Sequence, residues 1–356
     1  MKKIFFAGYI VFILLAWSCS EVYNPDDIEI SEPIAVVQGN VHLGEYPQVT
    51  LTWARNYGEQ IPRYITGAHI SIEEDWGGYS YEFTETSEGN YFAYSIIGEM
   101  GKSYRLNVEL PDGSLFQSTW QRIEKLPHLD SLYAEPGEYK VPYYNSSGEP
   151  LIQSQVGLQV KCDLSDDGQS ALYYRFNTKM VKLMVKTEDI GSPASHGVYM
   201  WETHSMDNTY TVDYSTSRDS RQLLLQHYIG FLRYFYDASL ETETSTAPFT
   251  EGWVLTSDIY SISKDVYSYY NSINKQLNPD NQIFAPATSQ VKSNISYVAG
   301  SITKVAGVFE ACAKQRIYKG FAWKSKTEYK TKDLYYFPEV GSGSQQRLPP
   351  DFWIYF

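Results

Sequence analysis

Apolar and polar residues alternate through the first part of the chain. Val49, Leu51 and Trp53 alternate with Thr50 and Thr52, and Ala68, Ile70 and Ile72 alternate with His69, Ser71 and Glu73. Tyr79, Tyr81 and Phe83 alternate with Ser80, Glu82 and Thr84, and Tyr104, Leu106, Val108 and Leu110 with Arg105, Asn107 and Glu109. Successive side chains of a strand point to opposite faces, so each run predicts a strand with one buried and one wet face. Turn formers separate the runs at Gly77-Gly78, Gly89-Asn90 and Pro111-Asp112-Gly113. About seven short strands within residues 34–127 predict a β-sandwich.

Leu126-Pro127-His128 reads as a boundary, and a second strand set begins with residues 130–133. Further strands are expected at 156–164, 171–185, 197–203, 253–260, 305–313 and 316–323, in a second β-rich domain spanning 128–356. Two segments depart from the β pattern. Ser263 can cap a helix over residues 263–277, where Val266, Tyr270, Ile273 and Leu277 share one face. Residues 221–236 are read as a second, short helix, and 239–248 as a polar loop. The expected fold is mainly β: an N-terminal sandwich followed by a β-rich domain with one or two inserted helices. The order "GAHISIEED … GNYFAYSI … GKSYRLNVELPDG" resembles transthyretin-like modules, which places the sandwich in an immunoglobulin/transthyretin-like class.

The first residues carry a different pattern. Lys2 and Lys3 precede an apolar stretch over residues 4–16, which falls short of the roughly 20 residues a membrane helix needs. Ala16 and Ser18 are small, and Cys19 follows. This resembles a bacterial lipoprotein signal, in which residues 1–18 are removed and the Cys19 thiol carries lipid. An ordinary cleaved signal and an uncleaved anchor are the alternatives. Acyl chains would hold such a protein firmly, since each buried methylene contributes about 0.8 kcal/mol. Residues 19–33 contain Glu21, Asp26, Asp27, Glu29 and Glu32 with Pro25 and Pro33, a solvated acidic tether. An acidic stretch behind the lipid-bearing cysteine resembles the surface-export signal of Bacteroidetes lipoproteins, which implies the outer membrane with the protein facing the cell exterior. A plain spacer is the alternative.

Composition narrows the function classes. The chain has 356 residues, of which 43% are hydrophobic, enough for ordinary cores. A formal net charge of −13 argues against nucleic-acid binding, which needs a basic footprint. The 32 tyrosines and 8 tryptophans suit half-buried strand positions and equally suit exposed surfaces that stack on sugars. Of three cysteines, lipidation of Cys19 leaves Cys162 and Cys312. These form either one disulfide or two buried free thiols, and Cys162 lies on the apolar side of its strand pattern.

Catalytic signatures are weak. Ser261/Lys264, Ser289/Lys292 and Ser301/Lys304 match Ser-x-x-Lys, but only Ser261 lies near a helix start and no partner motif follows. There is no nucleophile elbow, no zinc-protease motif and no phosphate-binding glycine loop, and no cofactor is implied. The six histidines are scattered; His196 and His204, the closest pair, match no zinc spacing. Asp163, Ser165, Asp167 and Gly168 open like a calcium loop, but its twelfth position is Tyr174 instead of a glutamate, so an acidic turn is the plainer reading. Glu73, Glu74 and Asp75 read as a solvated strand end. Trp76, Trp201 and Trp253 are candidates for stacking on a ligand, with core burial the alternative.

The second half carries distinctive wording. "VLTSDIYSISKDVYSYYNSINKQLNPDNQIFAPATSQVKSNI" is followed by "GSITKVAGVFEACAKQRIYKGF", and the chain closes on "PPDFWIYF". With the lipoprotein-like start and "LDSLY" at the domain junction, this resembles the Bacteroidetes family known as domain of unknown function 4249. The resemblance implies a β-rich outer-membrane lipoprotein associated with TonB-dependent transporters, and it implies no reaction and no catalytic residues. Many members carry paired cysteines shortly before the terminal motif; "YYFPEVGSGSQQRLPPDFW" has none. The expected function is a non-enzymatic surface accessory that captures a glycan or small nutrient for a TonB-dependent transporter, or assists its assembly. The alternatives are an adhesive or structural surface protein, and a surface hydrolase for glycan or peptide, which would need a pocket with two converging titratable groups.

Overall fold

The alternating runs become strands with the expected faces inward. The computed structural model describes residues 32–56, 59, 61–145, 149–165, 173–188, 196–205, 211–214, 222–233, 251–277, 291–323, 329–334 and 345–346. The first ten strands are β1 (Ile34–His42), β2 (Gln48–Trp53), β3 (Arg63–Tyr64), β4 (His69–Glu74), β5 (Ser80–Glu82), β6 (Thr84–Ser87), β7 (Asn90–Phe92), β8 (Ser103–Glu109), β9 (Leu115–Ser118) and β10 (Gln121–Arg122). Longer strands follow: β11 (His128–Tyr144), β12 (Pro150–Ser165), β13 (Tyr173–Glu188), β14 (His196–Ser205), β15 (Thr211–Tyr214), β16 (Gln222–Arg233) and β17 (Glu251–Ile262). Helix α1 (Lys264–Leu277) precedes β18 (Ile295–Ala299), β19 (Lys304–Cys312), β20 (Lys314–Trp323), β21 (Tyr329–Leu334) and β22 (Gln345–Gln346). Among the described residues no helix is long and apolar enough to cross a membrane.

Two sheets enclose the first core. One runs β19-β1-β2-β7-β6 and the other β18-β9-β8-β4-β5. Ala35, Val37, Leu51 and Tyr91 from one pack against Ile70, Ile72, Tyr104, Leu106 and Phe116 from the other. A second pair of sheets, β11-β12-β16 and β21-β20-β17-β13-β14-β22, encloses Leu158, Val160, Cys162, Phe176, Trp253, Leu255 and Phe321. A third, smaller cluster joins Tyr260, Ile262, Val266, Val308 and Cys312 beneath α1.

The chain does not divide cleanly at residue 127. β18 pairs with β9, and β19 runs parallel to β1, so residues 295–312 complete the first sandwich from the far side of the sequence. Gly307 permits the approach. Its φ is +105°, and a Cβ there would collide with the Val37 carbonyl oxygen. The Asn294 side chain replaces a missing strand, donating from Nδ2 to the Phe309 oxygen at 2.7 Å and accepting at Oδ1 from the Phe309 N–H at 2.9 Å. Ser293 Oγ donates to the Gly307 oxygen at 2.7 Å. Ser114 Oγ accepts from the backbone N–H groups of Ser301 and Ile302.

Residues 222–233 form β16 rather than the expected short helix. Its ladder with β12 has three register shifts, and Gln226 sits at φ +53°. Such bulges break the period of two, so the buried Ile229 and Leu232 fall three apart and imitate helical spacing. The other helix is where its signals put it. Ser263 Oγ accepts from the Val266 N–H at 3.3 Å, and the Ser263 oxygen accepts from Tyr267 at 2.9 Å.

Of the two alternatives left open for the cysteines, the structure has the unbridged one. Cys162 and Cys312 are both buried, and no disulfide joins them. Cys162 belongs to the second core and Cys312 to the cluster under α1, so the two thiols are committed to different packing sites.

Candidate functional site

The residues singled out from sequence scatter. Cys19, the acidic tether up to residue 31, Ser289 and residues 166–172 of the acidic turn lie outside the described residues. Trp253 is 1% exposed and belongs to the second core, so it offers no stacking face. Trp201 lies on β14 opposite Leu183, and its side chain is outside the described set. Asp163 spends its carboxylate inside a sheet, accepting from Ser131 Oγ at 2.6 Å and from the Gln226 N–H at 2.7 Å. Ser261 Oγ donates to the Glu124 oxygen at 2.8 Å and accepts from the Ala313 N–H at 3.1 Å, a stitch between segments rather than a nucleophile poised beside Lys264. Ser301 Oγ donates to Asp112 at 2.5 Å.

Trp76 is different. It is 79% exposed at the tip of the β4–β5 hairpin. Gly77 and Gly78 turn the chain at φ +91° and +67°, conformations that glycine adopts without strain. The Tyr79 ring lies over Gly77, close enough that a Cβ there would meet it at 2.6 Å. Tyr79, Tyr94 and Tyr46 are 62%, 57% and 47% exposed. With Trp76 they rim a groove of about 480 Å³. The Tyr46 and Tyr94 rings meet edge to face at 5.4 Å, and Phe92 stacks on Tyr94 at 5.9 Å.

Charge lies beneath these rings. Lys102 Nζ contacts Glu74 at 2.8 Å and Glu99 at 2.9 Å. Hydrogen bonds to these two carboxylates hold the Lys102 ammonium well above its ordinary pKa, against a small opposing effect of desolvation. The trio Glu73-Glu74-Asp75 is thus more than a solvated strand end. Glu74 is only 5% exposed, Glu73 accepts from Arg105 and Asn107, and Asp75 accepts from the Ser103 N–H. Rings on the rim can stack on a flat ligand face, while the acids and the ammonium can bond hydroxyls. Gly77-Gly78 made Trp76 legible as a turn residue. Tyr46 and Tyr94 come from other loops, and only the abundance of tyrosine hinted at them.

A second constellation sits at the seam between the two units, and sequence reasoning missed it. Arg175 on β13 donates from Nη2 to Glu310 Oε1 on β19 at 2.6 Å. Both side chains are buried. The guanidinium lies 3.9 Å from the Tyr260 ring centre and 4.7 Å from that of Tyr270. His42, at the end of β1, packs its ring 5.6 Å from Tyr260. Burial pushes the Glu310 carboxyl up, but the Arg175 charge and His42 outweigh it and the net shift is downward. Burial, then Glu310, drives the Cys312 thiol well above its usual value. Arg175 and Glu310 line a cleft of about 400 Å³ with Asn40, Asn177 and Tyr269. A guanidinium does not release its proton, so this pair is an ionic lock and supplies no acid–base couple for hydrolysis. Among the described residues, His42, Glu310 and Cys312 are grouped closely enough to hold a metal ion.

No curated protein and no solved structure matches this chain. A family model matches over residues 20–317, a span that takes in the first sandwich, much of the second unit, the aromatic groove and the seam. The chain therefore belongs to the family described as domain of unknown function (DUF4249).

Proposed function

We propose that this chain is a non-enzymatic binding protein of the outer cell surface, lipid-anchored through Cys19, which captures a glycan or small nutrient for a TonB-dependent transporter. The observation that carries the reading is the groove rimmed by Trp76, Tyr79, Tyr94 and Tyr46 over the Glu74–Lys102–Glu99 group. Folded proteins rarely leave such aromatic surface in water without a partner. Flat rings above hydrogen-bonding charges match a pyranose, whose C–H faces are apolar and whose rim carries hydroxyls. The apolar start ending at Cys19 and the acidic residues behind it support the surface address. The transporter partnership rests on the family resemblance.

Two measurements test this reading. Affinity electrophoresis of the purified chain against a panel of polysaccharides is expected to show retardation by at least one. The double variant Trp76→Ala/Tyr79→Ala is expected to lose at least about tenfold in affinity, or ~1.4 kcal/mol. Pull-down from detergent-solubilised outer membranes is expected to bring a transporter with the chain. Recovery as a lone monomer that retains no polysaccharide counts against the whole proposal.

A further inference from the structure

We propose that His42, Glu310 and Cys312 form a binding site for a thiophilic divalent cation of the zinc class. This site is separate from the aromatic groove and stands or falls independently of it. The backbone brings the three residues together. His42 and Cys312 are directly opposed in the β1–β19 ladder, and Glu310 lies two residues before Cys312 on the same strand, hence on the same face. One ligand atom from each falls within 4.8 Å of the others.

The hydrogen-bond pattern leaves acceptor atoms of this group without partners. His42 Nδ1 lies 3.1 Å from Glu45 Oε2, a carboxylate oxygen that only accepts, so Nδ1 carries the proton. In the neutral ring this leaves a lone pair on Nε2, which is buried and has no hydrogen-bond partner. Its neighbour is Glu310 Oε1 at 3.6 Å, beyond hydrogen-bond range. Arg175 takes Oε1 of Glu310, while Oε2 is buried without a partner. Two buried acceptors without hydrogen-bond partners cost free energy, and a cation bound to them would remove that cost. The two residues that carry these acceptors are grouped with the buried Cys312 thiol.

The donor set suits zinc. Imidazole nitrogen, carboxylate oxygen and thiolate sulfur are its usual ligands, and three protein ligands leave a fourth position open. A carboxylate on the outer nitrogen of a ligating histidine fixes its tautomer and strengthens it as a donor; Glu45 stands in that position. Glu45 is itself held by Lys314 at 2.7 Å. Glu310 also lines the cleft with Gln38 and Asn40. On binding, the Cys312 Sγ–H bond breaks, the proton passes to solvent, and the sulfur electron pair bonds the metal. The thiolate supplies the negative charge that a cation beside Arg175 requires.

The competing occupant is a proton on Nε2, which would turn His42 into an imidazolium paired with Glu310. Titrating the metal-free full chain with cobalt(II) and with zinc separates the two. The expected result is one equivalent of either metal, a thiolate-to-cobalt charge-transfer band, and one proton released per zinc. Zinc is expected to protect Cys312, mapped by mass spectrometry, from alkylation in mildly denaturing buffer, with no change at Cys162. Cys312→Ser is expected to abolish the band and Cys162→Ser to keep it. Glu45→Gln is expected to weaken binding about 10–100-fold. The alkylation map uses the unaltered chain, so it decides even where Cys312→Ser fails to fold. No cobalt band and equal alkylation with and without zinc would overturn the proposal, leaving the imidazolium as occupant.

Discussion

The groove and the seam use the same residue types in opposite ways. At the groove, Trp76 and three tyrosines face water while Lys102 neutralises two acids beneath them. At the seam, Tyr260 and Tyr270 close over Arg175, and the charges lie inside. The difference separates two uses of tyrosine that composition alone could not. A ring left in water contributes little to folding and is available to a ligand. A ring over a buried guanidinium desolvates an ion pair and makes its integrity a condition of the fold. Stability measurements should therefore separate the two regions sharply.

The largest effect is expected at Arg175. Arg175→Met leaves Glu310 buried without its partner, and breaking a buried pair from one side costs about 3–5 kcal/mol. The urea midpoint should fall by the corresponding amount with its slope unchanged. Arg175→Met/Glu310→Leu should recover most of the loss, because a packed apolar pair escapes the desolvation cost. A single-variant loss under about 1 kcal/mol would place the pair among ordinary surface bridges and collapse the contrast.

Gly307 ranks next. Gly307→Ala demands a side chain at φ +105° and against the Val37 oxygen, so a loss of roughly 1–3 kcal/mol is expected from backbone strain alone. Because β19 reaches β1 there, amide hydrogen exchange should speed up along both strands and leave β4 and β8 protected. Uniform exchange across the sandwich would show that β19 is an integral strand rather than a separable one.

How much of this was legible follows from which interactions are local. Ile70 and Ile72 on β4, and Leu106 and Val108 on β8, announced their inward faces because strand period is written in adjacent residues. Ser263 announced α1 because a cap acts within one turn. "KVAGVFEAC" was recognisable as distinctive family wording, yet nothing within it says that Gly307 meets Val37 or that Glu310 meets Arg175, 135 residues away. The choice of a strand partner is a tertiary decision, made by cores that close only when the whole chain has folded. His42 looked like one scattered histidine for the same reason, since its neighbours come from β17 and β19.

A smaller, pH-dependent effect is expected where residues 295–312 are sewn to the first sandwich. The Ser301 hydroxyl first, with help from the Ser114 contacts, holds the Asp112 carboxyl below its ordinary pKa against the upward push of burial. A native pKa below the unfolded one means stability that is complete above the ordinary aspartate range and is lost as pH falls through the depressed native value. Asp112→Asn should therefore narrow the gap in thermal midpoint between neutral and acidic buffer. An unchanged pH profile would remove Asp112 from the stitching.

The smallest stability effect, and the most telling one, is expected at Trp76. A tryptophan at a hairpin tip, 79% exposed, contributes little packing. Trp76→Ala should shift the unfolding free energy by no more than about 0.5 kcal/mol. Gly77-Gly78 keeps the turn, so Tyr79 and the Glu74–Lys102 contact should stay in place. If the same variant loses polysaccharide retention while keeping its melting temperature, the ring is held in water for a ligand. If it instead unfolds like the Arg175 variant, Trp76 belongs to the fold, and groove and seam are not opposites at all.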